Sequence, residues 1–488
     1  MESLREMNGT VTNSPTNLWL RASSRILRRT VFPVVNWREH SGSNSIYREW
    51  RKLERASTSM VEELQLKKLR ALLTHAYRNV PYYREVFDSI RFDPMHADLP
   101  GEFERIPVLT KVVLNERKAD LIAVNVPQSS LQVNASGGST GKPVEFYQDK
   151  RYWDTSYASR KFVMSWWGVS PGDRTASVWG ADRDIPEWDW RQSLYYRICQ
   201  VEICNAFSMS EERMERFARS MNDWQPCFVN GYATALELFS CFLLDHPNIK
   251  IRPIAVESSA ESLSDEQRRV IEKAFDAPLY NFYGSREVNN LAAECPAHLG
   301  LHANTLSRYI EIVGDNNGPL GPGQPGKILV TDLSNWVMPF IRYENEDIGS
   351  WSATSCTCGR PFPLLEKVWG RSSDFISTPS GKLIHGEYFT HLFYHVPEVR
   401  LFQVLQDSLD HLSISIVLKS ATTAPSFSTL KAKAAEMVGS GIQVDISIVD
   451  SIPRSASGKH RFTISRVKPN WSTPERTALG DSHAHLSK

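Results

Sequence analysis

The sequence predicts an α/β protein with a large N-terminal domain, residues 1–372, followed by a smaller α+β domain, residues 373–470. Three observations carry that prediction. The chain has 488 residues, more than one ordinary hydrophobic core organises, so two domains are expected. Helix-period and strand-like stretches alternate through the middle of the chain, the pattern of an α/β domain. Near residue 372 the texture changes to strands of period-two alternation around a single helix.

The first strong helix lies at Met60 to Ala76, where Met60, Leu64, Leu69, Leu72, Leu73 and Ala76 share one face and Pro81 ends the pattern. Ser208 with Glu211 reads as a capping box, which satisfies backbone donors that a first helical turn leaves unpaired. The helix it opens turns Met214, Phe217 and Met221 inward. Ser264 with Gln267 opens another, with Val270, Ile271 and Ala274 as its buried face. Between these helices lie strand-like runs at Phe228–Asn230, Ile251–Val256, Leu279–Tyr283 and Lys327–Thr331. In the smaller domain Leu401–Leu405, Leu412–Leu418 and Val444–Val449 alternate as half-buried strands, and Phe427–Val438 reads as a helix stopped by Gly439. Residues 471–488 are polar and read as a disordered tail.

A net charge of +1 supplies no concentrated basic surface, so a nucleic-acid partner is not expected. No apolar run reaches the length of a membrane span; Leu236 to Leu244 is interrupted by Glu237 and ends at Asp245. Residues 19–35 interleave Arg21, Arg25, Arg28 and Arg29 with Leu20, Ile26, Leu27, Val31 and Phe32. That stretch is either a helix packed on its own domain or a basic amphipathic helix touching an anionic membrane surface. The N-terminus carries no secretory pattern, and seven cysteines, an odd number, fit a reducing cytoplasmic compartment with free or metal-bound thiols.

The strongest local signal is the loop Ser136-Gly137-Gly138-Ser139-Thr140-Gly141-Lys142-Pro143. Glycines let a backbone approach an anion closely, hydroxyls donate to phosphate oxygens, and Lys142 adds charge. It is not a Walker A loop: Ser136 stands where the first glycine is required and Pro143 where Ser or Thr must follow the lysine. Taken alone, such a loop is more often an ordinary turn. Its weight comes from four segments downstream, which are Asn281-Phe282-Tyr283-Gly284-Ser285-Arg286-Glu287, Ile341-Arg342-Tyr343-Glu344-Asn345-Glu346-Asp347, Gly370-Arg371-Ser372-Ser373-Asp374, and Pro453 to Arg461 with Gly458-Lys459 inside it. Each sets charged residues beside glycine or an aromatic. An aromatic can stack on adenine, a carboxylate can hold Mg²⁺ or ribose hydroxyls, and a cation can meet phosphates.

In this order, from about residue 60 to 468, the set resembles the adenylate-forming superfamily of acyl-CoA synthetases, peptide-synthetase adenylation domains and luciferases. More narrowly it resembles the phenylacetate–CoA ligase branch and its CapK-type capsular-polysaccharide proteins, on Tyr283 to Glu287 followed by Glu294-Cys295-Pro296, and on Gly381-Lys382. The resemblance implies a large adenylate-forming domain with a mobile C-terminal domain. It also implies a reaction in which ATP activates a carboxylic acid as an acyl-adenylate. Ser136 to Lys142 would close on the β- and γ-phosphates of ATP; Ser259, Ala260, Glu261, Phe282 and Tyr283 would line adenine. Glu287 would hold Mg²⁺, Asp347 would accept the ribose hydroxyls, and Arg371 would contact ribose or phosphate. Lys459 would bridge the acyl carboxylate and the α-phosphate. Three residues depart from the common pattern: Arg286 for Thr, Glu346 for Gly, and Ser373 at the hinge, usually Asp or Lys. Arg461 also arrives one residue early.

Cys295, His302, Cys356 and Cys358 form a second constellation, three thiols and an imidazole, the donor set of a closed structural zinc site. Independent buried thiols are the other reading. Cys199, Cys204, Cys227 and Cys241 lie in apolar stretches and read as core. Trp179, Asn230, Gly231 and Tyr232 stand where the resemblance places the acid-binding wall, and their aromatics suit a flat acid, or simple packing. The acceptor of the acyl group is coenzyme A or, instead, an amine or hydroxyl on another metabolite. The competing reading is a nucleotide-binding scaffold without turnover.

Overall fold

The structure, a computed structural model, describes residues 42–135, 144–179, 196, 198–206, 209–371, 375–380, 383–386, 389, 392–393, 396, 398–419, 427–439, 441–453 and 461–467. The chain divides into two compact units, one from Met1–Glu49 and Tyr157–Phe282, the other from Trp50–Ser156 and Tyr283–Lys488. The basic stretch 19–35 and the polar tail 471–488 lie outside the described residues.

Helix α1 (Ser43–Leu53) opens the described chain, and α2 (Thr58–Asn79) starts where the Ser57 side chain accepts the Met60 amide. The buried face of α2 is Val61, Leu69, Leu72, Leu73 and Ala76. Met60, placed on that face by its sequence, is 55% exposed. Val61, not Met60, continues the helical spacing of Leu69 and Ala76, so the stripe begins one residue later. Helix α3 (Pro81–Ser89) takes over at a proline, and α4 (Lys111–Glu116) is capped by Thr110, whose hydroxyl accepts the Val113 amide. Strands β1 (Gln132–Ala135) and β2 (Glu145–Gln148) pair antiparallel and are followed by α5 (Lys150–Trp166).

The first unit holds, up to its boundary at Phe282 within β7, a wholly parallel set of strands: β3 (Thr175–Trp179), β4 (Val201–Asn205), β5 (Phe228–Tyr232), β6 (Ala255–Ser259) and β7 (Leu279–Ser285), ordered β4-β3-β5-β6-β7. Parallel strands need crossovers, supplied here by α6 (Glu211–Trp224), α7 (Ala233–Asp245) and α8 (Asp265–Phe275). Their apolar faces meet the strands in one core that includes Val178, Phe217, Met221, Leu236, Phe239, Ile271 and Phe275. The Ser264–Gln267 capping box opens α8 with both reciprocal bonds, but Val270 and Ala274 are half-buried and Phe275 takes the inner position. The cap of α6 is Ser210, which accepts the Arg213 amide, and not Ser208; Ser210 has the extended backbone a cap requires and directly precedes the first helical residue. The strand expected at Ile251–Val256 begins only at Ala255. Cys241 is exposed, contrary to its core reading, because it sits on α7 away from the buried stripe of Leu236, Phe239 and Leu243.

The second unit carries antiparallel strands in the order β8 (Asn289–Glu294), β9 (Leu301–Ala303), β13 (Leu364–Arg371), β12 (Tyr343–Trp351), β11 (Gly326–Asp332), β10 (Arg308–Val313). Leu69, Leu72 and Leu73 of α2 share a core with Ile312, Ile328, Val330, Phe340 and Tyr343. Farther along, β14 (Phe375–Ser377) pairs with β15 (Leu383–His385). Strands β16 (Val399–Ser408), β17 (His411–Leu418), β18 (Gln443–Ile448) and β19 (Thr463–Ser465) form a mixed sheet ordered β18-β17-β16-β19. Helix α9 (Ser428–Val438) buries Ala434 and Val438 against Val404, Ile414, Ile416 and Val444, and ends at Gly439, whose φ of +85° suits glycine. Among the described residues no helix is long and apolar enough to cross a membrane.

Candidate active site

In the second unit the sequence signals Tyr283, Glu287, Asp347 and Arg371 fall around a break in strand regularity. Between β11 and β12 the register runs from Lys327 opposite Ile348 to Leu329 opposite Glu344, so β12 bulges through Asn345, Glu346 and Asp347. Bulges of this kind re-aim side chains and concentrate beside functional sites. On its other edge Asp347 stays paired with Arg371 of β13, which sets the two charged residues side by side. The loop entering β12 is fixed by Arg342, at φ +51° and 1% exposed. Its guanidinium donates to the carbonyls of Glu104 (2.6 Å), Ile106 (2.7 Å) and Asn317 (2.9 Å) and pairs with Glu311 at 3.1 Å.

The Asp347 carboxylate sits in a short network. Tyr283 Oη donates to Asp347 Oδ2 at 2.8 Å. Asn345 Nδ2 donates to Tyr283 Oη at 2.6 Å and to Asp347 Oδ2 at 3.0 Å, and Asn345 Oδ1 accepts the Asp347 amide at 3.2 Å. Burial, then the Asp347 charge, holds the Tyr283 hydroxyl well above its ordinary value, so it remains a proton donor. Glu287 is 8% exposed and accepts from Tyr343 Oη at 3.3 Å. Burial, then the Glu287 charge, likewise raises the Tyr343 hydroxyl. Sequence reasoning singled out Tyr283, Glu287 and Asp347 but not Asn345 or Tyr343. Their signal was position alone, two residues before the carboxylate and two before that.

In the first unit the remaining candidates gather at the carboxyl ends of parallel strands, where open α/β sheets bind ligands. Trp179 ends β3 and Tyr232 ends β5, with ring centroids 4.4 Å apart. Asn230 accepts from Ser177 Oγ at 2.6 Å. A side chain at Gly231 would stand 2.7 Å from the Val178 carbonyl, so close strand packing already requires glycine there. Ser259 ends β6 opposite Phe282 of β7, and Ala260 follows at φ +66°. Glu261 Oε2 accepts both the amide (2.9 Å) and the hydroxyl (2.8 Å) of Thr234, and so caps the first turn of α7. Behind Phe282 lies a pair that the sequence did not announce: Arg160 Nη2 is 2.5 Å from Glu257 Oε2, and its guanidinium lies 4.7 Å from the Phe282 ring centroid. Glu257 is 2% exposed. Ser136–Pro143 and Lys459 lie outside the described residues.

The four-residue constellation does converge. One donor atom from each of Cys295, His302, Cys356 and Cys358 lies within 4.8 Å of the others, with Cys295 Sγ–Cys356 Sγ at 3.6 Å and Cys358 Sγ–His302 Nε2 at 3.2 Å. His302 is placed by β9, opposite Leu364 of β13, and its Nδ1 donates to the Phe362 carbonyl at 2.9 Å. That bond directs Nε2 at the cysteines, the orientation a metal ligand needs. Burial pushes the His302 imidazole down to about 4 and the Cys295 thiol up to about 12. Burial also raises Cys356; at Cys358 it is outweighed by backbone and side-chain hydrogen bonds from Arg360, leaving that thiol below its ordinary value. The loop is anchored: Arg55 Nη1 donates to the Cys358 carbonyl at 2.7 Å, and Arg360 pairs with Glu54 at 2.9 Å.

Residues 376–466 match the CapK C-terminal domain family. Protein CapK of Staphylococcus aureus is 23% identical over 415 residues, covering 83% of this chain and 89% of that protein. Phenylacetate–coenzyme A ligase of Escherichia coli K12 is 27% identical over 433 residues, covering 83% of this chain and 94% of that protein. Among solved structures, 2-hydroxyisobutyryl-CoA ligase in the postadenylation state with 2-HIB-AMP aligns with a TM-score of 0.68 at 20% identity. That alignment covers 85% of this chain and 91% of the other. The homologues are therefore CapK and phenylacetate–CoA ligases, and the fold is that of the adenylate-forming ligases with their C-terminal domain.

Proposed function

We infer that the protein is an AMP-forming acid ligase: it joins a carboxylic acid to AMP at the expense of ATP and passes the acyl group to coenzyme A. The observation that carries this reading is the Asp347 network, a carboxylate held by Tyr283 and Asn345 beside Arg371 on a strand bulge, in a chain whose homologues include phenylacetate–CoA ligases. A carboxylate fixed by two donors is suited to accept paired ribose hydroxyls, and the neighbouring guanidinium to meet phosphate or ribose.

In the first half-reaction an oxygen of the substrate carboxylate attacks the α-phosphorus, the α–β bridging P–O bond breaks, and pyrophosphate leaves. Negative charge concentrates on the α-phosphoryl oxygens as this happens. Lys459 supplies a preorganised cation there, Ser136 to Lys142 hold the β- and γ-phosphates, and Ser259, Ala260, Glu261, Phe282 and Tyr283 line adenine. Glu287, a buried carboxylate, is the residue we assign to Mg²⁺, which when bound neutralises phosphate charge. In the second half-reaction the coenzyme A thiolate attacks the acyl carbonyl and AMP departs. We place the rotating small domain at residues 373–470, with Ser373 at the hinge. The paired rings of Trp179 and Tyr232 favour an aromatic or other flat acid.

We assign zinc to Cys295, His302, Cys356 and Cys358. Three thiols and one correctly oriented imidazole fit a closed tetrahedral set with a structural and not a catalytic role.

The test is ATP–pyrophosphate exchange over a panel of aryl, fatty and amino acids, with product analysis with and without coenzyme A. Acid-dependent exchange and a thioester product are expected. Exchange without thioester would move the acceptor to an amine or hydroxyl. No exchange with any acid, in protein that binds ATP, would leave the scaffold reading.

A further inference from the structure

The bulge that presents Asp347 contains a backbone conformation that its side chain should not favour. Glu346 lies at φ +70°, in the left-handed region where a Cβ is strained and glycine is the usual occupant. Neighbouring Asn345 accepts the Asp347 amide across Glu346 and so braces the backbone on either side of it, but the Glu346 side chain is not part of that network. Its restraint comes from elsewhere in the chain. Lys111 Nζ bonds Glu346 Oε2 at 2.6 Å, with the two side chains 17% and 32% exposed, so the pair is partly shielded from water.

Lys111 is itself held to the strand it grips. The Leu109 amide donates to the Arg342 carbonyl at 3.1 Å, and the Glu344 amide donates to the Leu109 carbonyl at 3.0 Å. Leu109 thus forms a parallel bridge with Tyr343 at the start of β12. Thr110 then caps α4, and Lys111 is the first residue of that helix. The chain from Leu109 to Lys111 therefore spans the bulge, fastened by backbone bonds before it and by an ion pair within it.

We propose that Lys111 and Glu346 are positioning residues. Their ion pair holds the strained bulge in the one arrangement that aims Asp347 at its ligand, and Lys111 acts on the nucleotide only through Glu346 and the backbone. The last step rests on the reading that Asp347 receives ribose.

The test uses the full chain in two arms. In the first, amide hydrogen exchange across residues 343–349 is followed in ligand-free wild type, K111M and K111R. K111M speeds exchange there by roughly fivefold, the scale of a partly shielded ion pair, with the melting temperature little moved, and K111R restores most of the protection. In the second, K111M raises the KM for ATP in pyrophosphate exchange by roughly fivefold and leaves kcat within about twofold. In an E346G background the same K111M change alters neither quantity, since glycine adopts the conformation unaided and the ion pair is already gone. Unchanged protection in K111M overturns the proposal whatever the activity. So does faster exchange with an unmoved KM in active enzyme, or an equal K111M effect in the E346G background. Wild type that does not turn over ATP counts against the ligase reading alone, and the amide arm then decides the tether.

Discussion

Tyr283→Phe isolates the hydroxyl that orients Asp347. The ring stays, so packing and any stacking on adenine are kept, and no cavity larger than one oxygen is created. What is lost is a 2.8 Å donor to Asp347 Oδ2 and the 2.6 Å acceptor of Asn345 Nδ2. A hydrogen bond to a charged group contributes about 1.5–3 kcal/mol. Asp347 keeps the Asn345 amide at 3.0 Å and is only half-buried, so water offsets part of the loss. The lower end of the range, about 1.5 kcal/mol, is therefore the expected cost, or about tenfold in an equilibrium constant. Initial-rate ATP–pyrophosphate exchange should show KM for ATP up about tenfold and kcat within about twofold, because the perturbed group binds ribose and not the reacting phosphorus. KM unchanged, or a loss confined to kcat, would refute the assignment of Asp347 and its network to nucleotide binding.

Lys459→Ala should lower exchange by roughly 10² to 10³ while leaving the thermal transition in place, the scale of losing one preorganised donor; full exchange removes Lys459 from the mechanism. Purified protein should contain one zinc per chain by elemental analysis, and Cys295→Ser should lose it; freely titratable thiols in metal-free, stable wild type would defeat the site. Because burial raises the Cys295 thiol and lowers the His302 imidazole, the imidazole is already neutral at physiological pH and binding must expel thiol protons. Zinc affinity should then rise with pH, about tenfold per unit for each proton released, and a chelator should strip the metal faster at about pH 6 than at about pH 8; pH-independent removal contradicts this. Glu257→Gln should destabilise the first unit by about 2–3 kcal/mol in urea. That is below the usual cost of breaking a buried pair, since the Arg160 side chain is 24% exposed and keeps its contact with Phe282; stability equal to wild type would show the pair is not coupled.

The sequence alone determined the type of most elements and the identity of the motif residues. Both follow from local rules: the stripe on α2, the Ser264–Gln267 box and the alternation at Leu412–Leu418 are properties of neighbours along the chain. Local rules also account for the misses. Ser208 and Ser210 offer the same cap chemistry, and the cap falls on Ser210, which directly precedes the first helical residue; Met60 and Val61 are both apolar, and the buried stripe takes Val61, which keeps the helical spacing of Leu69 and Ala76. At the candidate site, the resemblance of the ordered motifs pointed to Asp347 and Tyr283, and residue type and spacing to the cysteine–histidine set, but neither could say what each touches. The convergence of Cys295 and His302 with Cys356 and Cys358 depends on β9 pairing with β13, and the aim of Asp347 depends on a bulge between β11 and β12. Lys111 reaches Glu346 across 235 positions of sequence. Such contacts arise from long-range strand pairing, whose register is set by the whole core and is written in no single stretch of residues.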